Sequence, residues 1–413
     1  MTESAHRLGA GRYAEADLTV PDSVVTSVYD LATADGAHVT GVLRVPPHAR
    51  TAVTIMHPRQ DVTHHPLVPH LLRDGHAVWT QGSRSPNNDL GLIHEQALLD
   101  FAAGHVLLRE HGFDHVVSLG HSGGATLAAF YCQQAGLAPG DRLTTAPSGR
   151  PVALAKATMP LPDGVVFLAP HPGQGALLQR VIDPSVTDEA DPLSVDPELD
   201  PFNPANGFRD APEPSSYPAE FVARYRAAQA DRVRRIDAAA AALVADSQQA
   251  NRAFKSDGKA ADRRRALAPR LVTVYRTDAD LRNVDLSLDP NQRPYGSLFG
   301  RRPDLTNYGL VGFGRLSTAE AWMSTWSATT TNADFPRCAP GVTIPTLLLE
   351  FTGDQASFPA DVSAFRAALA TDDLTVESVP GTHFGGPASP DAPPGHELAA
   401  RVIEGWVSAR FPG

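Results

Sequence analysis

The sequence predicts an α/β protein: a central, mostly parallel sheet with helices on both faces, interrupted once by a long insertion. Three observations carry this. After an opening hairpin, strand-like and helix-like segments alternate with short links up to about residue 173, and the alternation resumes at about residue 335. Residues 174–334 between them lose the pattern and turn rich in proline and aspartate. The run HVVSLG, made largely of strand formers, ends at a serine set among glycines and passes directly into the helix-forming ATLAAFYCQQA.

Taken in order, VVTSVYDLA and HVTGVLRVP are the arms of a hairpin. Both are β-rich, and the Asp35-Gly36 turn between them tolerates positive φ. TAVTIMHP is a third strand and HAVWTQGS a fourth, with the short helix PLVPHLLRDG ending at Gly75 between them. DLGLIHEQALLDFAAGHVLLREHG has apolar residues at helical spacing and closes on a glycine, with Asn88 or Asp89 placed to cap it. The fifth strand, HVVSLG, its helix and the sixth strand, GVVFLAP, follow.

Inside the insertion, Tyr217 to about Lys255 reads as one long helix. Its apolar residues Phe221, Tyr225, Val233, Ile236 and Leu243 recur at threes and fours, so it is expected to pack on the sheet domain, with Arg232 mostly off the apolar face. The rest of the chain returns to strand TIPTLLLEFTGDQ, helix PADVSAFRAALA, strand LTVESVP and helix HELAARVIEGWVSARF. The expected division is 1–173 with 335–413 as the core domain and 174–334 as a largely helical cap.

Composition bounds the partners. A chain of 413 residues with 42% hydrophobic and 20% charged content has the balance of a soluble globular protein. A formal net charge of −11 argues against nucleic acid or an anionic membrane surface. MTESAHRLGAGRYAEADL carries no apolar leader pattern, and no eighteen apolar residues run together, so a cytoplasmic protein is expected. With only Cys132 and Cys338, neither a disulfide framework nor a cysteine zinc site is indicated.

Gly120-His121-Ser122-Gly123-Gly124 matches G-x-S-x-G, a tight strand-to-helix turn that lifts a serine hydroxyl above the sheet edge. The spacing alone is a weak signal; a strand before it and a helix after it supply the context. A serine there is alternatively a plain helix cap. An activated serine needs a base, and the base needs a carboxylate to hold its tautomer. Asp354 stands just past the strand TLLLEF and His383 beyond the next, both at the sheet edge where Ser122 lies. Asp361 and His396 are the rival acid and base.

The order Ser122, Asp354, His383, the elbow and the strand order resemble the α/β-hydrolase fold superfamily over residues 24–173 and 335–413, with the insertion where many members carry a cap after the sixth strand. The resemblance implies a nucleophile, acid and base in that order. It further implies an oxyanion hole from the Gly123 amide and one in the loop after the third strand. That loop reads His57-Pro58-Arg59-Gln60, where members usually show His-Gly. Because Pro58 has no N–H, the second donor is expected to be Arg59. The Arg59 side chain is open to two readings, a substrate carboxylate or an ordinary salt bridge.

His57, His121 and the cap aromatics Tyr295, Phe313, Trp322 and Trp326 are candidates for the substrate pocket. The cap aromatics are interleaved with Arg293, Arg301, Arg302 and Arg315, a mixture that suits an apolar or aromatic compound with a polar end. The loop containing Arg84 and Asn87 offers further contacts, although turn formation alone accounts for it. His57, His64, His65, His70 and His76 fit no metal-ligand spacing, so no metal and no cofactor are expected.

The reaction expected is hydrolysis of an ester, lactone or thioester of a medium-sized, partly apolar small molecule. A carbon–carbon bond hydrolase of the same fold is the alternative. A binding protein that has kept the fold and lost the chemistry is a third, and a homodimer is compatible with any of them.

Overall fold

The computed structural model describes residues 19–86 and 88–411. The reading of the first eighteen residues as lacking a leader, and the reading of Asn87, lie outside the described residues.

The core strands are β1 (Val25–Ala32), β2 (His38–Val45), β3 (Thr51–Met56), β4 (Ala77–Gln81), β5 (His115–His121) and β6 (Gly164–Leu168). The insertion contributes β7 (Leu271–Thr273) and β8 (Leu316–Thr318), and the core resumes with β9 (Thr346–Phe351) and β10 (Leu374–Val379). Eight strands form one sheet in the order β1-β2-β4-β3-β5-β6-β9-β10. β2 runs antiparallel to both β1 and β4, and every pairing from β4 to β10 is parallel. The carboxyl ends of β3, β5, β6, β9 and β10 therefore share one edge.

The sheet is buried on both faces, which is why its central strands are almost continuously apolar. In β6, Val165 and Phe167 point into a core with Phe101 of α2 (His94–Glu110), Leu127 of α3 (Gly123–Ala135) and Phe365 of the helix Pro359–Ala368. Val166 and Leu168 point the other way, toward Leu71 of α1 (Val68–Arg73) and Ile403 of the C-terminal helix Gly395–Arg410. Burying one such side chain stabilises the fold by roughly 1.5–3 kcal/mol.

α2 starts at His94, later than its apolar spacing suggested, with Ile93 at its N-cap. Neither Asn88 nor Asp89 caps it. Asn88 accepts from the Leu90 amide, and Asp89 is held by Arg59.

The chain leaves and re-enters the core at one neck, where the Phe335 amide donates to the Pro172 carbonyl at 2.9 Å. The insertion holds α4 (Gln174–Val181), α5 (Ala219–Asp257), α6 (Ala260–Leu267), the β7–β8 pair and long irregular runs, so it is less helical than expected. α5 also does not pack on the sheet. Val233, Ile236, Ala240 and Val244 meet Leu177, Leu178, Val272 and Trp322, giving the insertion a core of its own. Arg232 lies on that buried face, where it is neutralised by Glu189 at 2.6 Å and donates to the Asp183 carbonyl. A buried arginine at an apolar register is tolerable only with such partners.

The insertion covers the carboxyl edge of the sheet. The Thr318 amide bonds the Leu90 carbonyl, the His94 amide bonds Ser324 Oγ, and the Gln292 amide bonds the Thr352 carbonyl just past β9.

Candidate active site

Ser122 sits at the sharp turn between β5 and α3 with φ 57° and ψ −121°, a conformation that a non-glycine residue adopts only under local constraint. The surrounding glycines permit the constraint. A Cβ at Gly120 would stand 2.5 Å from Ala125 Cα, and one at Gly124 would stand 2.6 Å from the Met56 carbonyl oxygen of β3. The Ser122 hydroxyl makes no capping bond to α3, so the helix-cap reading fails.

Ser122 Oγ lies 2.8 Å from His383 Nε2. His383 Nδ1 lies 2.9 Å from both carboxylate oxygens of Asp354. Asp354 Oδ1 also accepts from the amides of Ala356 and Ser357, and the Asp354 carbonyl accepts from Asn291 of the insertion at 2.8 Å. The carboxylate can only accept, so the His383 proton sits on Nδ1 and leaves Nε2 bare to receive the serine proton. Asp354 and His383 are each 1% exposed, and Ser122 is 9% exposed. The rivals are occupied elsewhere: Asp361 pairs with Arg180 at 2.7 Å, and His396 Nδ1 donates to the Gly385 carbonyl.

Around this line the structure corrects several expectations. The Arg59 amide is not free to hold an oxyanion. It donates to His57 Nδ1 at 3.0 Å, as the Gln60 amide does at 2.9 Å, because the His57 ring folds back over its own loop. The Arg59 guanidinium makes a two-pronged ion pair with Asp89 at 2.5 and 2.7 Å and lies over the rings of Trp326 and Phe313, at 4.7 and 5.3 Å from their centroids. The salt-bridge reading holds, and those two aromatics reach the loop beside the serine through Arg59.

Trp322 belongs to the same insertion core as Trp326 and donates from Nε1 to Asp237. Tyr295 packs with Phe208, Tyr217 and Leu281 in a separate outer cluster. Arg293, for its part, turns onto the carbonyls of Arg282, Asp285 and Leu288, and Arg84 is held by Asp100 and Asp35.

His121 does not face a substrate either. Its Nε2 donates to the His383 carbonyl at 2.8 Å, and its Nδ1 accepts from His65 Nε2 at 3.0 Å. This buried pair props the loop that carries His383. Burial lowers the His121 basicity to about 3 and that of His65 well below the usual histidine range, so both rings are neutral.

Two residues escaped the sequence reading. His171, just past β6, and Gln174, which opens α4, converge with His57 on Gly123. A Cβ there would meet Gln174 Nε2 at 2.4 Å, His57 Nε2 at 2.9 Å and His171 Nε2 at 3.0 Å. Burial, reinforced by the nearby Arg59 cation, holds both His57 and His171 well below the ordinary histidine range. Nearby His94, buried at the start of α2, is pushed down to about 4 by the same loss of solvation. Among the described residues no group of three or more His, Cys, Asp or Glu is arranged to hold a metal ion. Among the same residues no helix is long and apolar enough to cross a membrane.

No protein-family model matches the sequence, and no curated protein matches it. Among solved structures, the DcsB complex with its substrate analogue is similar in fold, with a TM-score of 0.50 and 10% identity over 94% of this chain and 100% of that one. A hypothetical protein from Pseudomonas aeruginosa aligns over 97% of this chain and 99% of its own, with 12% identity and a TM-score of 0.46. Est1E from Butyrivibrio proteoclasticus aligns over 94% and 99%, with 11% identity and a TM-score of 0.45. The chain has the α/β-hydrolase fold.

Proposed function

We propose that this chain is a serine hydrolase that cleaves an ester, lactone or thioester of a small to medium-sized, partly apolar molecule through an acyl-enzyme. The observation that carries the reading is the unbroken line Ser122 Oγ, His383 Nε2, His383 Nδ1, Asp354, at 2.8 and 2.9 Å, with the serine in a strained elbow. Ser122 attacks the carbonyl carbon as His383 takes its proton. Asp354 holds the tautomer and stabilises the imidazolium, and the Gly123 amide, at the first turn of α3 where helix N–H groups lack intrahelical partners, faces the developing charge.

His383 then returns the proton to the leaving group. Water attacks the acyl-enzyme with the same histidine as base. The insertion over the sheet edge favours substrates small enough to be enclosed, since exclusion of water strengthens each polar interaction at the serine.

Rapid-mixing turnover of p-nitrophenyl esters tests this. A burst of one p-nitrophenol per chain, followed by slower turnover, is expected, with both phases absent in Ser122→Ala. Turnover of a vinylogous diketone with no burst on any ester would overturn the ester reading in favour of carbon–carbon cleavage.

A further inference from the structure

We propose that the oxyanion site of this protein is built from side chains: His57 Nε2–H, His171 Nε2–H and the Gln174 amide join the Gly123 N–H around the reacting carbonyl oxygen. The inference rests on Ser122 being the nucleophile.

Three observations converge. The loop that ordinarily offers a backbone donor has lost it here, because the Arg59 and Gln60 amides both point into His57 Nδ1, at 3.0 and 2.9 Å. A backbone amide can only donate, so Nδ1 is an acceptor and the single proton of the neutral ring lies on Nε2. His171 follows the same logic, since its Nδ1 accepts from the Gly173 amide at 3.0 Å. Among the described residues neither Nε2 has a protein acceptor. The two donors are preset by backbone and aimed at one place.

The place is Gly123. The elbow pattern requires glycine two residues before and two after the serine, not directly after it. Gly123 is therefore a glycine in excess of the motif, and its reason is spatial: a single methyl would collide with Gln174 Nε2, His57 Nε2 and His171 Nε2 at 2.4–3.0 Å. Gln174 supplies an independent sign of a ligand. It is 1% exposed, yet neither its amide nitrogen nor its amide oxygen makes a protein hydrogen bond of full geometry, although the buried His94 ring lies beside it. Leaving such a group unsatisfied is costly unless something else binds there during the working cycle.

The chemistry balances without a further reagent. As Ser122 Oγ bonds to the carbonyl carbon, the C=O π pair moves onto oxygen and the hydroxyl proton moves to His383. The alkoxide accepts hydrogen bonds from the four donors and takes no proton. When the pair returns, the leaving group departs with the proton from His383. Neutral imidazoles suit this role, because they donate without presenting an acidic proton strong enough to trap the intermediate.

His57→Asn and His171→Asn are the decisive variants, since asparagine keeps an acceptor near the Nδ1 position for the backbone amides and deletes the Nε2 donor. Each is expected to lower kcat by about 100- to 1000-fold with KM within about threefold, the usual cost of one oxyanion donor. Affinity for a trifluoromethyl ketone, which forms the tetrahedral alkoxide on Ser122, should fall by the same factor as kcat/KM. Binding of an unreactive substrate in the Ser122→Ala background should be unchanged.

Gln174→Met leaves the backbone bonds to both histidine rings in place, giving up only its contact with the His94 ring, and carries the test if a histidine variant does not fold, with about tenfold expected on both kcat and ketone affinity. Folded variants whose kcat/KM and ketone affinity stay near wild type overturn the proposal. Turnover that survives Ser122→Ala instead overturns the nucleophile assignment, whatever the histidine variants do.

Discussion

The two sides of Ser122 are made from different materials. On the side proposed for proton transfer, His383 and Asp354 each stand just past the end of a parallel strand, and Asp354 is held by the backbone amides of Ala356 and Ser357. On the opposite side, His57 stands directly after β3, while His171 and Gln174 lie three residues apart in the one connection from β6 to α4, and the three meet because Gly123 leaves them room. Both sides stand on the ends of parallel strands, but the first is one continuous hydrogen-bonded line. The other is a convergence of side chains on Gly123. Changes on the first side should abolish chemistry outright, and changes on the second should weaken it by degrees.

The largest effect expected is from Ser122→Ala or His383→Ala, each lowering kcat by about 10⁶-fold; Asp354→Asn, which invites the wrong tautomer, should cost about 10⁴-fold. Steady-state ester turnover with the thermal midpoint unchanged checks them. Gly123→Ala sharpens the contrast from the other side. Its methyl would displace the converging donors, so kcat should fall by about 100-fold, the cost of losing one oxyanion donor, while proton transfer remains intact. A Gly123→Ala enzyme with wild-type kcat would erase the distinction between the two sides.

His121 lies behind the first side and should behave as a positioning residue. Its Nε2–H supports the His383 carbonyl, and orphaning a buried carbonyl costs about 1–3 kcal/mol. His121→Ala is expected to reduce kcat by about tenfold with KM little changed, and a glutamine at the same place should recover part of the loss. A raised KM with kcat unchanged would assign it to substrate binding after all. Within the insertion, Trp322→Ala should cost about 3–5 kcal/mol of stability through its cavity, whereas ester preference should stay the same. A selective change in ester preference with unaltered stability would return Trp322 to the pocket.

The smallest effect concerns Asp278, deep in the insertion, where burial raises the carboxyl to about 6 despite hydrogen bonds from Thr306 and Ser297. The folded state therefore holds the Asp278 proton more tightly than the unfolded chain, and stability from this site declines as pH rises from about 4 to about 6. Asp278→Asn should raise the thermal midpoint at pH 8 and leave it nearly unchanged at pH 4. An equal shift at both values would show that its titration is not linked to folding.

Much of this was readable from residue order. HVVSLG followed by ATLAAFYC identifies the elbow because strand, turn and helix are local events, and Asp354 and His383 follow because parallel strands place their ends together. What stayed hidden depends on contacts between distant segments. Nothing near His171 or Gln174 in the chain announces that they face Gly123, and the aromatic residues of the insertion looked alike until Trp322 proved to face Asp237 and Trp326 to lie under Arg59. Two local signals did point there: the extra glycine after the serine, and Pro58 where a donor was needed.

The proposed chemistry stands or falls with Ser122 as an activated nucleophile. Labelling the intact protein with a fluorophosphonate and mapping the adduct by peptide mass spectrometry tests it most directly. One rapid adduct is expected on Ser122, absent in Ser122→Ala and slowed by orders of magnitude in His383→Ala. Rapid labelling at another residue, or a wild-type Ser122 that stays unmodified while ester turnover proceeds, would contradict it.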